Sequence, residues 1–391
     1  MKRITKIASV FLALILVFGL AAGASFAADP IKIVIDDKEV KSDVAPVVEN
    51  GRTLVPLRVV SETLGADVVW TQATKEATIK TASYTVVFQQ DSSAYTVNGA
   101  RKTLDVPCKN VGGRTLIPLR AFAESIGADV SYANNTASIN YFSNMSGSVK
   151  VSGSTTVQPI MEAAARKLEN MNKGKLSITV AGGGSGAGMN DTKSGANNIG
   201  MSSSSISAED SAIVDAFEIA RDAIAVIVHP SNPVNNLSKE QVKGIFTGEI
   251  KNWNEVGGNS APILIHTRET GSGTLATLED LLLDKEKVAD RATPYASATL
   301  LKNAVATDAN GIGFDSIGFV DSTVKALSVN NVKPSEATVN SGAYPASRSL
   351  YVFTKGKPGK LEAVIIDYLR SFECQNDIVA KEGYVALEKT N

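Results

Sequence analysis

Residues 50–68, NGRTLVPLRVVSETLGADV, recur at residues 112–130 as GGRTLIPLRAFAESIGADV. Gly51 falls on Gly113, an offset of 62 residues, and 12 of the 18 positions from Gly51 to Val68 are identical. Such a duplication has to fold as two copies of one supersecondary unit. The residues of each copy say which unit. Asn50-Gly51 or Gly112-Gly113 supplies a turn, and Thr53–Val55 or Thr115–Ile117 a short strand. Pro56 or Pro118 then opens a helix, where its missing N–H costs nothing. Leu57, Val60 and Leu64, or Leu119, Phe122 and Ile126, share one helical face. Gly65 or Gly127 stands where a left-handed C-terminal cap is needed. Alternating strands end near Ile79 and Ile139, and IVIDDKEV and YTVNGARK read as hairpins, the second turning at Asn98-Gly99.

Ahead of the repeat, Lys2, Arg3 and Lys6 precede an apolar run from Ile7 to Ala22, and Ser25-Phe26-Ala27 offers small residues at a cleavage site. Residues 1–27 are therefore expected to be an export signal, which makes the mature protein secreted or cell-surface. No cysteine stands near the cleavage site to take a lipid anchor. Cleavage removes three positive charges and takes the formal net charge from -1 to -4, so no global field draws in nucleic acid. Cys108 and Cys374 are expected to be separate buried thiols. His229 and His266 are the only histidines, too few for a three-histidine metal site. No cofactor and no metal are expected.

Tyr141 to Gly147, YFSNMSG, reads as a short polar linker. Beyond it, strands alternate with helices, the pattern of an α/β domain with a largely parallel sheet. Three segments share one design, in which a strand is followed by glycine or hydroxyl residues and then a helix. They are VSGSTTVQPIMEAAARKL, ITVAGGGSGAGMNDTKSG and RETGSGTLATLEDLLL. Each helix start presents free backbone N–H groups and the positive end of the helix dipole. Glycine admits a ligand to the backbone, and the hydroxyls add donors. Three such starts converging would wrap an anion with few cations, with Arg268 beside the third. Neither a Walker loop nor GxGxxG fits the glycine-rich stretch. Ser202–Ser205 lacks the GxSxG elbow of a serine hydrolase. Asp191, Asp210 and Asp222 read as solvated carboxylates, and no acid/base pair is evident, so no enzyme is expected. Lys251, Trp253 and Glu255 read as an anchor for a helix.

About residues 30–142 resemble the stalk-type domain at the N-terminus of some copper amine oxidases, through the repeated RTLVPLR/RTLIPLR signature. The oxidase chemistry is not implied: Ala137 stands where the cofactor motif has threonine, and the copper histidines are absent. The domain, residues 28–142, is expected to be a spacer or an attachment to the cell wall. GSTTVQP, GGGSGAG, NNIGMSSSSI, HPSNPV, IFTGEIKNWNEVGG, RETGSGT, NGIGF and YPASRSLYVFT, in that order, resemble the phosphate-binding proteins of ABC transporters over residues 148–391. That resemblance implies a type II periplasmic-binding-protein fold. Its first lobe would comprise 148–222 and 343–391, its second 223–342, with AIAVIVH and SLYVFT near the two crossover strands.

By the same resemblance, the ligand would be held by Ser154, Thr155, Thr156 and Val157, by Ser185, Ser202 and Ser203, and by Arg268, Ser272, Gly273 and Thr274. Many relatives place an aspartate, which accepts a bond from protonated phosphate, where this chain has Ser203. A serine can donate or accept, so weaker rejection of sulfate is expected here. The expected function is capture of phosphate or a related tetrahedral oxyanion for an ABC permease. The alternatives are a wall-associated scavenger or sensor, and a structural adhesin on a degenerate binding fold. N-terminal sequencing of the exported protein should begin at Ala28; a chain that still carries residues 1–20 would restore a membrane anchor as the reading.

Overall fold

The computed structural model describes residues 30–387; the expected export signal lies outside them. Within the repeat, Val47–Glu49 pairs with Arg52–Pro56 across Asn50-Gly51, and Lys109–Val111 with Arg114–Pro118 across Gly112-Gly113. Helices Leu57–Thr63 and Leu119–Ser125 follow at once, with Pro56 and Pro118 as their N-caps. The predicted apolar faces, including Val60, Leu64, Phe122 and Ile126, are buried. The two copies then pair with each other, Arg52–Pro56 antiparallel to Arg114–Pro118 with Val55 opposite Ile117. Arg52 donates to Asp105 and Arg114 to Asp43, each at 2.8 Å. These exposed pairs contribute less than about 1 kcal/mol each. Their reciprocity shows that the copies are related by a local two-fold axis.

The hairpins flanking the repeat extend different sheets. Lys32–Ile35 with Lys38–Val40 adds to Thr136–Asn140, and Ala94–Val97 with Ala100–Thr103 adds to Thr85–Gln89. From residue 147 onward the sheet becomes largely parallel. Gly147–Gly153 lies between Leu176–Gly183 and Ile199–Ser202, and Leu264–Arg268 lies between Thr293–Tyr295 and Gly311–Ser316. A long antiparallel pair, Val214–Val228 with Ser347–Lys355, runs from one group of strands to the other. Ser347–Lys355 pairs with Ile199–Ser202, and Val214–Val228 with Gly311–Ser316. This is two α/β lobes on two crossover strands. The lobes grade into each other through continuous strands, so a limit at 222/223 falls inside a strand.

One finding departs from the sequence reading. Tyr141, Phe142 and Met145 are buried, so YFSNMSG is not an exposed polar linker. The carboxylate of Asp36 accepts hydrogen bonds from the backbone N–H groups of Tyr141, Phe142 and Ser143 and from the Ser143 hydroxyl, at 2.6–3.1 Å. That leaves the rings free to pack, and Phe142 meets Tyr368 edge to face at 5.2 Å. The reading failed because the polar residues of this segment make local bonds while the apolar ones are anchored inward. A single apolar cluster therefore runs from Ile33 in the repeat domain to Tyr384 in the first lobe, while the second lobe has its own.

Asp367, fully buried on a helix of the first lobe, clasps the repeat domain. It accepts from the Tyr141 hydroxyl and from the Ala82 N–H, both at 2.7 Å. Arg370 reaches Asp67, and Lys38 reaches Glu373, across the same junction. Cys108 and Cys374 are both buried free thiols, and burial pushes Cys108 up to about 12. No helix among the described residues is long and apolar enough to cross a membrane.

The junction separates the two capping glycines. Gly65 and Gly127 have φ of 81° and 80°, so any side chain at either costs about 1–2 kcal/mol of backbone strain. A Cβ on Gly65 would also sit 1.9 Å from the carbonyl oxygen of Asp367, whereas one on Gly127 meets only the Tyr84 hydroxyl at 3.9 Å. Gly65→Ala should therefore destabilise the protein by at least about 1–3 kcal/mol more than Gly127→Ala, read from denaturant midpoints. Equal costs would mean that the repeat domain does not pack on the first lobe.

Candidate functional site

The three glycine- or hydroxyl-led helix starts meet at the seam between the lobes. In the first, the strand Gly147–Gly153 ends and Ser154 folds back, its Oγ accepting from the N–H groups of Thr156 and Val157 at 3.2 and 3.4 Å. The helix Gln158–Met171 begins there. In the second, Gly184 turns the chain with φ of 91°, and the helix Ser185–Ser194 follows. In the third, Ser272 caps the helix Gly273–Leu281 by accepting from the Leu275 N–H at 3.3 Å.

Contacts across the seam are direct. The Thr156 and Thr274 hydroxyls lie 3.0 Å apart, and the Gly186 N–H donates to the Gly271 carbonyl at 3.0 Å. Gly273 fits against the serines of the other lobe: a Cβ there would come within 2.3 Å of Ser185 Oγ and 2.8 Å of Ser203 Oγ. Ser185 Oγ accepts from the Ser203 N–H at 3.1 Å. Ser202 turns its hydroxyl to the neighbouring Ser204, donating to its carbonyl at 3.0 Å, and so serves the local loop.

Arg268, at the carboxyl end of its strand, is buried. Its guanidinium donates to the carbonyls of Tyr295 and Ala296 at 3.1 Å and to Thr155 Oγ1, in the other lobe, at 2.9 Å. Burial pulls its pKa below the ordinary guanidinium value, with Asp315 opposing and Arg348 reinforcing the shift.

The structure adds groups that the sequence reading passed over. Arg348, inside the quoted motif YPASRSLYVFT, donates through Nε and Nη2 to Asp222 at 2.8 and 2.7 Å. Its Nη1 donates to the Ser203 carbonyl at 2.9 Å and to Thr274 Oγ1 at 3.0 Å. Asp222 is thus no solvated carboxylate. It is fully buried, and its other oxygen accepts from the Ser316 hydroxyl and the Ile317 N–H at 2.7 and 3.1 Å. Its place on a crossover strand brings it to Arg348, which composition around it could not reveal. Asp191 accepts from Ser152 and Asp210 pairs with Lys193, and Lys193 and Asp210 line a cavity that Ser185, Ser272 and Gly273 also border. Trp253 is buried, donating to the Asn310 carbonyl, and Glu255 closes a cap on the short helix that follows Asn252. A fourth helix start, at Ala298, also arrives, with its N–H 3.4 Å from Thr155 Oγ1.

A family model described as the PBP superfamily domain matches residues 135–372, and one described as the copper amine oxidase N-terminal domain matches residues 34–141. The chain belongs to the PBP superfamily. It carries a copper amine oxidase N-terminal domain in front of the binding fold. Among curated relatives, the phosphate-binding protein PstS of Bacillus subtilis is 36% identical over 264 residues, covering 66% of this chain and 87% of the relative. PstS of Borreliella burgdorferi is 29% identical over 260 residues, 61% of this chain and 90% of its own length. Among solved structures, a putative phosphate ABC transporter substrate-binding protein from Clostridium perfringens, with bound phosphate, is 36% identical. It aligns with a TM-score of 0.59 over 62% of this chain and all of its own. An ABC-type phosphate transport receptor from Vibrio cholerae aligns at 0.54 with 31% identity, over 61% of this chain and all of its own.

A further carboxyl group stands at this end of the sheet. Asp315 lies on the strand beside Arg268, and burial pushes it up to about 7 against the pull of the Ser316 N–H, Arg268 and Arg348. The folded protein therefore holds a proton that the unfolded chain has released above the ordinary carboxylate range. The stability this confers is full below about pH 4 and is lost as pH rises through about 7. Asp315→Asn removes the titration. Denaturant unfolding at pH 8 should find the variant at least as stable as the parent, with a flatter profile between pH 5 and 8. A variant markedly less stable at pH 8 would show that the ionised carboxylate is favoured in the fold.

Proposed function

We propose that this protein captures a tetrahedral oxyanion, phosphate foremost, between its two lobes and delivers it to an ABC permease outside the cytoplasm. The observation that carries this is Arg268: a buried guanidinium at the carboxyl ends of parallel strands, reaching across the seam to Thr155 of the opposite lobe. Around it converge the hydroxyls of Thr156, Thr274, Ser185 and Ser203 and the starts of three helices. Ser154, Val157, Ser272 and Gly273 hold these turns in shape, and Ser202 supports the Ser203 loop. Such a set supplies many N–H and O–H donors and little competing negative charge, which suits an anion that needs most of its oxygens satisfied. The PstS relatives and the phosphate-bound structure from Clostridium perfringens support the same ligand. Export by residues 1–27 and attachment to the wall through the repeat domain complete the proposal.

Calorimetric titration with phosphate tests it. Arg268→Ala should weaken binding by about 2–4 kcal/mol, because a desolvated anion loses its charge partner. Arg268→Lys should recover part of that, since a point charge does not reproduce the planar fork. Melting curves should show both variants folded. Parent-like phosphate binding by both variants would place the site elsewhere.

A further inference from the structure

Among the described residues, Asp315 is a buried carboxyl group whose hydrogen bonding is incomplete; Thr267, next to Arg268 on the adjacent strand, also has a buried hydroxyl without a partner. One carboxylate oxygen accepts from the Ser316 N–H at 2.8 Å. The other, Oδ2, is buried with no partner. Leaving a buried carboxylate oxygen unpaired costs about 1–3 kcal/mol or more, so a fold rarely keeps one without a use.

Its position follows from the sheet. Leu264 and Ile265 pair in parallel with Gly311 and Ile312. Continuing that register sets Arg268 beside Asp315 at the carboxyl ends of the two strands, where open α/β sheets take their ligands. Both side chains share a sheet face, because His266 and Gly311 meet on that face and residues two apart point the same way. Despite this, no salt bridge joins Arg268 to Asp315 among the described residues. Arg268 spends its bonds on Tyr295, Ala296 and Thr155. On the other side, Asp315 pairs through its backbone with Ala225 of the crossover strand. The neighbouring carboxylate of Asp222 is fully engaged by Arg348, Ser316 and Ile317, so it has no oxygen to offer.

We infer that Asp315 is the specificity-determining carboxylate of the oxyanion site, its unpaired Oδ2 accepting the remaining O–H of a phosphate held by Arg268. This rests on the proposed oxyanion function and replaces the weaker sulfate rejection that Ser203 alone would suggest. Ionised, Asp315 bonds a protonated oxyanion and repels sulfate, which carries no proton near neutral pH. Protonated, it donates a hydrogen bond and admits sulfate. Discrimination therefore strengthens with pH. The charged and titratable groups around Asp315 are Arg268 and His266 on the adjacent strand, Asp222 on the crossover strand, Arg348 on its partner, and Tyr384. The His266 ring is held by Asp308 and Tyr295.

The test is calorimetric titration of the full-length mature protein and Asp315→Asn with phosphate and with sulfate, from pH 6 to 8.5. In the parent, sulfate affinity should fall at least tenfold across that range while phosphate affinity changes less. In Asp315→Asn, whose amide can donate to either anion, sulfate affinity should rise at pH 8 and lose most of its pH dependence. The phosphate-over-sulfate ratio at pH 8 should drop at least tenfold. A residual pH dependence in the variant equal to the parent's would assign the effect to His266 and overturn the inference, as would an unchanged ratio. The unmutated protein tests the idea alone, since pH-independent sulfate binding from pH 6 to 8.5 also sinks it. Failure of the parent to bind either anion would instead remove the oxyanion function, and the inference with it.

Discussion

Asp222 and Arg348 face each other across the two crossover strands, both buried, and their bonds reach elements of both lobes. Through Arg348 the pair holds the Ser203 loop of the first lobe and the Thr274 hydroxyl at a helix start of the second. Through Asp222 it holds the end of the strand Gly311–Ser316 and the turn after it. Removing either partner would strand a charge in a desolvated place, at a cost of about 3–5 kcal/mol. The pair also decides what is left for a ligand. Because the two charges neutralise each other, the pair leaves Arg268 and Asp315, on neighbouring strands, without a charge partner of their own among the described residues.

That arrangement sits on a first lobe which is not free-standing in the usual sense. The repeat domain, the segment Tyr141–Gly147 and the helix Lys360–Arg370 share one apolar cluster, and Asp367 bonds the repeat domain from the lobe side. Among the described residues, the repeat domain contributes no side chain to the contacts across the seam, yet it covers apolar surface that the first lobe would otherwise expose. A cavity of about 1250 Å³ lies along this same junction. Mechanically, the first lobe and the repeat domain form one packed body. The second lobe has its own core and meets that body through the crossovers and the seam.

The two copies of the repeat show how far periodicity alone can reach. Turn, strand, proline-led helix and glycine cap were all readable, because each depends on residues within about five positions of one another. The partner of each strand was not. Arg52–Pro56 pairs with its own duplicate, and Lys32–Ile35 with Thr136–Asn140 at the far end of the domain. Nothing in a local pattern distinguishes those pairings from the alternatives. The segment YFSNMSG was misread for the same reason. Its polar residues suggested solvent, while the burial of Tyr141 and Phe142 depends on Asp36 and Tyr368, more than a hundred residues away in opposite directions.

By itself, the sequence determined the three helix starts and the presence of Arg268 beside the third. Glycine and hydroxyl residues before a helix are local signals with a local cause, the unpaired N–H groups of its first turn. Only the tertiary structure decided that these starts converge and that Asp222 is spent on Arg348. It alone leaves Asp315 beside Arg268 with an oxygen to spare. The physical reason is that a carboxylate's role is set by its burial and its partners. For Asp222 and Asp315 those partners come from strands that are neighbours in the sheet and distant in the chain.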